Sequence, residues 1–135
     1  MNIDTDDDGW VWLGTNDDGL IALYVGEDPF DKSDTYVKNL NLNDGLHGML
    51  ITAVRHDMEG EIWVGTKGGL NRIKKLQDKR LKVDDVNMLL EGQIAEISCI
   101  EVDKNNNKWI GTIGSGIYKI NSNNDTAGRF TTDNS

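Results

Sequence analysis

The sequence is poor in cysteine, proline and histidine, with one, one and two of these residues among 135. A single cysteine, Cys99, excludes a disulfide framework, and no Cys/His cluster has the spacing of a zinc site. Cys99 stands in the apolar, strand-like run Ile97–Ile100, where we expect its thiol to be buried as a small hydrophobe. Long apolar runs are also missing, so the sequence predicts no transmembrane helix and no secretory signal at Met1–Asp8.

Positive charge is scarce as well. The chain has 14 Lys and Arg against 23 Asp and Glu, for a formal net charge of −9. Such a chain repels phosphate backbones and anionic membrane surfaces, so we expect neither nucleic acid nor membrane as a partner. Hydrophobic residues at 37% and charged residues at 27% indicate a folded globular protein, and the length fits one domain.

The strongest signal that is present is an internal repeat. Trp-x-Gly-Thr occurs three times, with its tryptophans 51 and 46 residues apart, and an aspartate stands six residues before each of them. Periods of about 40 to 50 residues are typical of β-propeller blades. The repeated residues are Asp6, Trp12, Gly14 and Thr15, then Asp57, Trp63, Gly65 and Thr66, then Asp103, Trp109, Gly111 and Thr112.

Each repeat reads as four strands. In the middle unit, β-branched Ile51–Arg55 predicts a first strand, Asp57–Gly60 a turn and Ile62–Thr66 a second strand. Leu70–Ile73 follows a Gly-bearing turn as the third strand, and Lys82–Val83 is the fourth. The fourth strands of the outer units are predicted around Tyr36–Lys38 and Arg129–Thr131.

The second strand shows how the sheets are covered. In Trp10–Thr15 both alternating sets of positions are largely apolar, which predicts a sheet packed on both faces. The predicted fold class is therefore all-β, with about three four-stranded antiparallel blades of an incomplete β-propeller. We expect a single domain over residues 1–135, with blade units at roughly 1–40, 41–86 and 87–135.

These units resemble the two-component regulator propeller repeat, whose pattern is Ile-x-x-Ile-x-x-Asp-x-x-Gly-x-Leu-Trp-Ile-Gly-Thr-x-x-Gly-Leu. The third unit departs from it at Asn106, Asn107 and Lys108, and this departure predicts a loosened first hairpin. The middle unit matches best, through Ile51, Val54, Asp57, Gly60, Ile62, Trp63, Val64, Gly65, Thr66, Gly69 and Leu70.

The resemblance implies the extracytoplasmic sensor region of membrane-bound histidine kinases and hybrid two-component systems. It implies a non-catalytic, periplasmic segment of a longer membrane-anchored protein that perceives a signal such as a glycan. Three blades leave two sheet faces bare, so we expect either further blades or self-association. Two other functions stay open: a lyase or hydrolase propeller resembling streptogramin lyase, and a structural scaffold for protein interactions.

The sequence supplies no catalytic residue and no cofactor site. Asp4, Asp6 and Asp8 begin like a calcium loop, but Thr15 stands where an EF-hand has its bidentate Glu, so a solvated turn is the preferred interpretation. No nucleophile motif accompanies either histidine, and we expect structural roles for His47 and His56.

Two further features concern binding. The first is a basic hairpin, opposed within its own sequence only by Asp78, which we interpret as a solvated outer face rather than an anion site. The second is Trp10, which either stacks on a sugar ring or packs in the core, while the ligand-binding residues stay unknown. The basic residues are Lys67, Arg72, Lys74, Lys75, Lys79, Arg80 and Lys82.

Overall fold

The computed structural model describes residues 2–25, 35–91 and 95–131, with backbone only at 126 and 127. Within this part the chain forms twelve strands in three four-stranded antiparallel sheets, which confirms the predicted fold class. No helix there has the length and apolar character needed to cross a bilayer. The strands are β1 Asn2–Thr5, β2 Trp10–Gly14, β3 Leu20–Tyr24, β4 Tyr36–Leu40, β5 Ile51–His56, β6 Ile62–Thr66, β7 Gly69–Lys75, β8 Leu81–Asp85, β9 Glu96–Val102, β10 Lys108–Ile113, β11 Ile117–Ile120 and β12 Thr126–Phe130.

Strands that follow one another along the chain are neighbours in each sheet. The sheets run β1 to β4, β5 to β8 and β9 to β12, and we call them blades 1, 2 and 3. Strand β5 contacts β1 and β2 on one side and β9 on the other, so the first strands lie side by side and the fourth strands lie outermost. The single domain over residues 1–135 stays a prediction.

Two apolar layers hold the blades together. Trp12, Ile51 and Ile62 lie in the layer between blades 1 and 2, and Trp63 and Ile97 lie in the layer between blades 2 and 3. All five residues of β6 are buried, because blade 2 is covered on both faces. In β2 and β10 some side chains are half-exposed, because the outward faces of blades 1 and 3 are uncovered.

The repeated glycine is a steric requirement of this stacking. A Cβ built on Gly14 would lie 2.5 Å from Cγ2 of Ile51, and one on Gly65 would lie 2.4 Å from Cγ2 of Ile97. Each isoleucine belongs to the first strand of the next blade, so the glycine makes room for it. We call these two positions glycine seats.

In blade 3 the aligned glycine has no such neighbour. A Cβ on Gly111 would instead meet Sγ of Cys99 in its own sheet, at 2.5 Å. Cys99 is exposed, so the expectation of a buried thiol is wrong. Its side chain lies on the uncovered face of blade 3, which the local sequence could not indicate.

The first hairpin of blade 3 is also tighter than expected. Asn106 adopts φ 62°, a conformation that glycine takes at the same place in the other blades and that asparagine tolerates. The amide of Asp103 donates to the carbonyl of Asn107 at 3.0 Å, as in a regular hairpin. The predicted loosening is therefore wrong. The fourth strand of this blade covers Thr126–Phe130, so it begins earlier than predicted.

Candidate functional site

Every blade contains the same bond between its aligned aspartate and tryptophan. The indole Nε1 of Trp12 donates to Oδ2 of Asp6 at 2.9 Å, and Trp63 donates to Asp57 at the same distance. The other carboxylate oxygen accepts two amides of the following turn, those of Glu59 and Glu61 in blade 2. One ionised carboxylate thus fixes the turn and the tryptophan together.

Blade 3 repeats this arrangement, with 3.0 Å between Trp109 Nε1 and Asp103 Oδ2. The indole hydrogen bond, with the amide of Asn107, holds the pKa of the Asp103 carboxyl well below its usual range. The sequence alignment identified these three aspartates and three tryptophans but not the bond between them. Their six-residue spacing was the signal that could have predicted it.

The aspartate turns of the three blades lie at one end of the sheets, beside the innermost strands. Between them is an open groove of about 410 Å³, which we call the inner groove. Its lining combines two cations with carboxylates, an imidazole and two apolar side chains. The lining residues are Asp7, Arg55, His56, Asp57, Met58, Val102, Asp103 and Lys104.

Hydrogen bonds and an ion pair between blades position the residues that line the inner groove. Oδ2 of Asp4 in blade 1 lies 2.6 Å from the amide of His56 and 2.7 Å from its Nδ1. Arg55 of blade 2 pairs with Glu101 of blade 3 at 3.2 Å. His56 therefore has the structural contact that the sequence predicted for it, and it also borders the inner groove.

The carboxylates that resemble a calcium loop are engaged by protein groups. Nζ of Lys75 lies 2.9 Å from Oδ2 of Asp6 and 2.6 Å from Oδ2 of Asp8, while Asp4 is held by His56. Burial raises the pKa of Asp6, but the hydrogen bonds from Trp12 and Lys75 outweigh it and lower the pKa overall. Among the described residues no group of three His, Cys, Asp or Glu side chains is placed to hold a metal ion.

The structure also decides the two alternatives for Trp10. This side chain is 5% exposed and stacks on Trp12 with ring centroids 5.4 Å apart. Tyr24 and Tyr36 contact its other sides. Core packing is therefore its role here, and a sugar ring has no access to its face. The second histidine, His47, pairs through Nε2 with Asp85 at 2.9 Å.

Part of the basic hairpin finds acids that lie elsewhere in the sequence. Arg72 pairs with Glu61 at 3.0 Å and with Asp84 at 3.4 Å, and Lys75 is held between two aspartates of blade 1. These two cations are largely buried, so the expectation of a uniformly solvated face is wrong for them. The remaining exposed cations of the hairpin include Lys79 and Arg80.

The inner groove presents side chains that can bind a polar ligand. Arg55 and Lys104 supply donors, Asp7 supplies acceptors, and Met58, 65% exposed, supplies an apolar contact. Its described lining includes no serine, threonine or cysteine. The groove suits a ligand with several hydroxyl or carboxylate groups.

Comparison with known proteins supports the fold and the resemblance. No family model matches the chain. The histidine kinase P4 of Formosa agariphila is 31% identical over 85 residues, which cover 60% of this chain and 6% of that protein. The extracellular domain of a hybrid two-component system from B. thetaiotaomicron has a TM-score of 0.69 at 20% identity, over 98% of this chain and 17% of that one.

Other solved structures share the fold. PorZ, a surface component of the type-IX secretion system of Porphyromonas gingivalis, has a TM-score of 0.72 at 20% identity and covers 99% of this chain and 21% of that one. A gluconolactonase structure reaches 0.61 at 12% identity and covers 96% and 47%. The chain thus spans only a small part of the first relatives it matches. Its expected resemblance to the sensor regions of two-component systems is confirmed.

Proposed function

We propose that this chain is a non-catalytic, ligand-perceiving segment of the extracytoplasmic propeller of a two-component sensor kinase. The observation that carries the proposal is the repeated aspartate–tryptophan blade, combined with similarity to a histidine kinase and to an extracellular two-component domain. Similarity of fold alone does not assign a function, so the proposal also depends on a ligand site in this chain.

The inner groove is the proposed ligand site, and a glycan fragment is the proposed ligand. Its donors and acceptors come from all three blades: Asp7 and Lys104 lie on turns of blades 1 and 3, and Arg55 lies near the end of strand β5 in blade 2. A ligand that bridges them changes how the blades contact each other, which is a direct way to pass a signal along a propeller. A sugar presents hydroxyl groups on several sides and can contact side chains of all three blades at once.

Calorimetric titration with a panel of neutral and uronate-containing oligosaccharides tests this site. We expect at least one oligosaccharide to bind, and Arg55→Gln to weaken that binding about tenfold, because a charge-assisted hydrogen bond is lost. Lys67→Gln is the matched control, since Lys67 is an exposed cation on a different turn. Binding that Arg55→Gln and Lys67→Gln affect equally would exclude the inner groove.

Two alternatives rest on particular likenesses. The gluconolactonase neighbour favours a hydrolase or lyase, which would show metal-dependent turnover of a lactone or glycan substrate. PorZ favours an interaction scaffold, which would bind a protein partner and no small molecule. The same calorimetric panel, followed by product analysis, separates the three functions. Product formation that EDTA abolishes would replace the sensor proposal with the enzyme.

We further propose that another blade covers the outward face of blade 3. This face exposes Ile113 at 61%, Ile117 at 47% and Phe130 at 49%, and Gly111 is aligned with the two glycine seats. The chain alone should therefore self-associate through this face as its concentration rises, and Ile113→Lys should reduce the association. Static light scattering measures both. A constant monomer mass up to high concentration would contradict the proposal.

A further inference from the structure

A second groove lies at the periphery, between the outer strands of blades 1 and 2. It encloses about 420 Å³ and is separate from the inner groove. Strand β4 contributes Tyr36, exposed at 37%, and the hairpin of β7 and β8 contributes Leu76, exposed at 44%. Leu81 and Val83 pack against the core between the blades and form its apolar floor. We call it the outer groove.

Cations surround this apolar floor. Lys38, Arg80 and Lys82 line the outer groove, against the single carboxylate of Asp44. That carboxylate lies 3.9 Å from Nζ of Lys38, at the limit of an ion pair. Among the described residues Arg80 has no carboxylate partner, and its Nε donates only to the carbonyl of Gln77 at 3.3 Å. Lys82 lies 3.7 Å from a carboxylate oxygen of Asp84, which is outside the groove lining, so among the described residues Arg80 is the lining cation without a carboxylate partner.

The hairpin turn beside the outer groove has a strained backbone and carries a further cation, Lys79. Asp78 and Lys79 both adopt φ 59°, the conformation of a tight turn in which glycine is strongly preferred at the second position. Lys79 occupies that second position. Its ammonium lies 4.9 Å from the ring centroid of Tyr24, next to Tyr36. Lys79 therefore stands at a position where the backbone favours glycine, and this strain makes its side chain a candidate for a functional role.

We propose that the outer groove binds a small carboxylate with an apolar body. The Arg80 guanidinium receives the carboxylate, the Lys79 ammonium adds positive charge from the adjoining turn, and the apolar body lies on Leu76, Leu81 and Val83. An aliphatic floor offers no hydrogen bonds to hydroxyl groups, so a sugar fits this site poorly. The site is independent of the inner groove, and its ligand is a different chemical class.

Calorimetric titration of the chain with octanoate tests the proposal. Octanol, which has the same apolar body without the carboxylate, and acetate, which has a carboxylate without the long apolar body, are the paired probes. We expect octanoate to bind at one site and both other probes to bind at least about tenfold more weakly. Equal binding of octanol would overturn the proposal, and so would equal or stronger binding of acetate or an absence of octanoate binding.

Variants locate the site. We expect Arg80→Gln to weaken octanoate binding about tenfold, with Lys67→Gln as the unaffected control. Lys79→Gly should weaken binding as well, yet raise the urea midpoint of unfolding, because glycine relieves the turn. If Lys79 had only a structural role, its replacement would not lower octanoate affinity while raising the urea midpoint. Unchanged octanoate affinity in both Arg80→Gln and Lys79→Gly, or preference for an acidic peptide over octanoate, would overturn the assignment.

Discussion

Replacing Gly14 with alanine tests the contact on which blade stacking depends. The added Cβ would lie 2.5 Å from Cγ2 and 2.9 Å from Cβ of Ile51, which is closer than real carbon atoms approach. The Cβ of Ile51 is fixed to the backbone of β5 and cannot rotate away. The two blades must therefore separate by several tenths of an ångström, and the buried layer that includes Trp12 loses close packing.

The expected cost is about 2 kcal/mol of unfolding free energy, within the usual range for overpacking a buried contact. Gly14 contributes no positive-φ penalty of its own, so the steric contact with Ile51 is the whole cause. Replacing Ile51 with alanine should recover part of this loss. The substitution removes Cγ2, which lies 2.5 Å from the added Cβ, and leaves only the Cβ of residue 51 at 2.9 Å.

Urea unfolding followed by tryptophan fluorescence measures the effect. The experiment is a double-mutant cycle of Gly14→Ala and Ile51→Ala, with Gly128→Ala as the control. A Cβ at Gly128 meets only Phe130 at 3.8 Å, so this control should change stability by less than about 0.5 kcal/mol. We expect the double variant to be more stable than the sum of the single effects by about 1 kcal/mol.

Two results would refute the reasoning. The first is a Gly14→Ala variant that is as stable as the Gly128→Ala control. The second is strict additivity in the cycle with Ile51→Ala, which would mean that the two positions do not share a contact. Either result would show that the repeated glycine has a role other than admitting the next blade.

Three further predictions concern buried polar groups. Asp57→Asn should destabilise the fold by about 2 kcal/mol in urea unfolding, because the asparagine amide cannot accept from the Trp63 indole and from two turn amides together. Equal stability would contradict the proposed role of the carboxylate in fixing the turn and the tryptophan. Lys108 is fully buried, and burial lowers its pKa, so the wild type should gain stability as pH rises from that lowered folded pKa toward the usual 10.5. Lys108→Met, more stable by about 1 kcal/mol at pH 7, should not show this gain. Lys75→Met should cost about 2 kcal/mol at pH 7 and progressively less as pH falls below 3.8, because the pKa of Asp6 is lowered in the folded protein and the ion pair is lost as pH falls through that folded pKa. A pH-independent cost would exclude the ion pair as the cause.

The repeat was sufficient to predict most of the fold. The Trp-x-Gly-Thr strands, the Asp-bearing turns and their spacing predicted three four-stranded units, and the structure has them. The apolar character of both faces of Trp10–Thr15 predicted sheets covered on both sides. Among the described residues β6 of blade 2 is covered in this way, whereas Val11 and Leu13 of β2 are half-exposed. These features are local or periodic, so they can be recognised in the amino-acid sequence alone.

The errors occur where a residue meets a part of the chain that is distant in sequence. Cys99 looks like a core residue in its own strand, but the face it lies on has no covering blade. Lys75 looks like one of many surface lysines, but its partners are 69 and 67 residues away. Asn106 differs from the repeat by residue type and still provides the same turn conformation.

By itself, the sequence determined the strand count, the blade period and the positions where glycine and tryptophan recur, because these depend on backbone preference and on alternation along each strand. Only the tertiary structure decided which cations are neutralised, that Trp10 is buried, and that two grooves of different polarity lie between the blades. Those outcomes depend on distances between side chains from different blades, and the stacking of the sheets sets these distances.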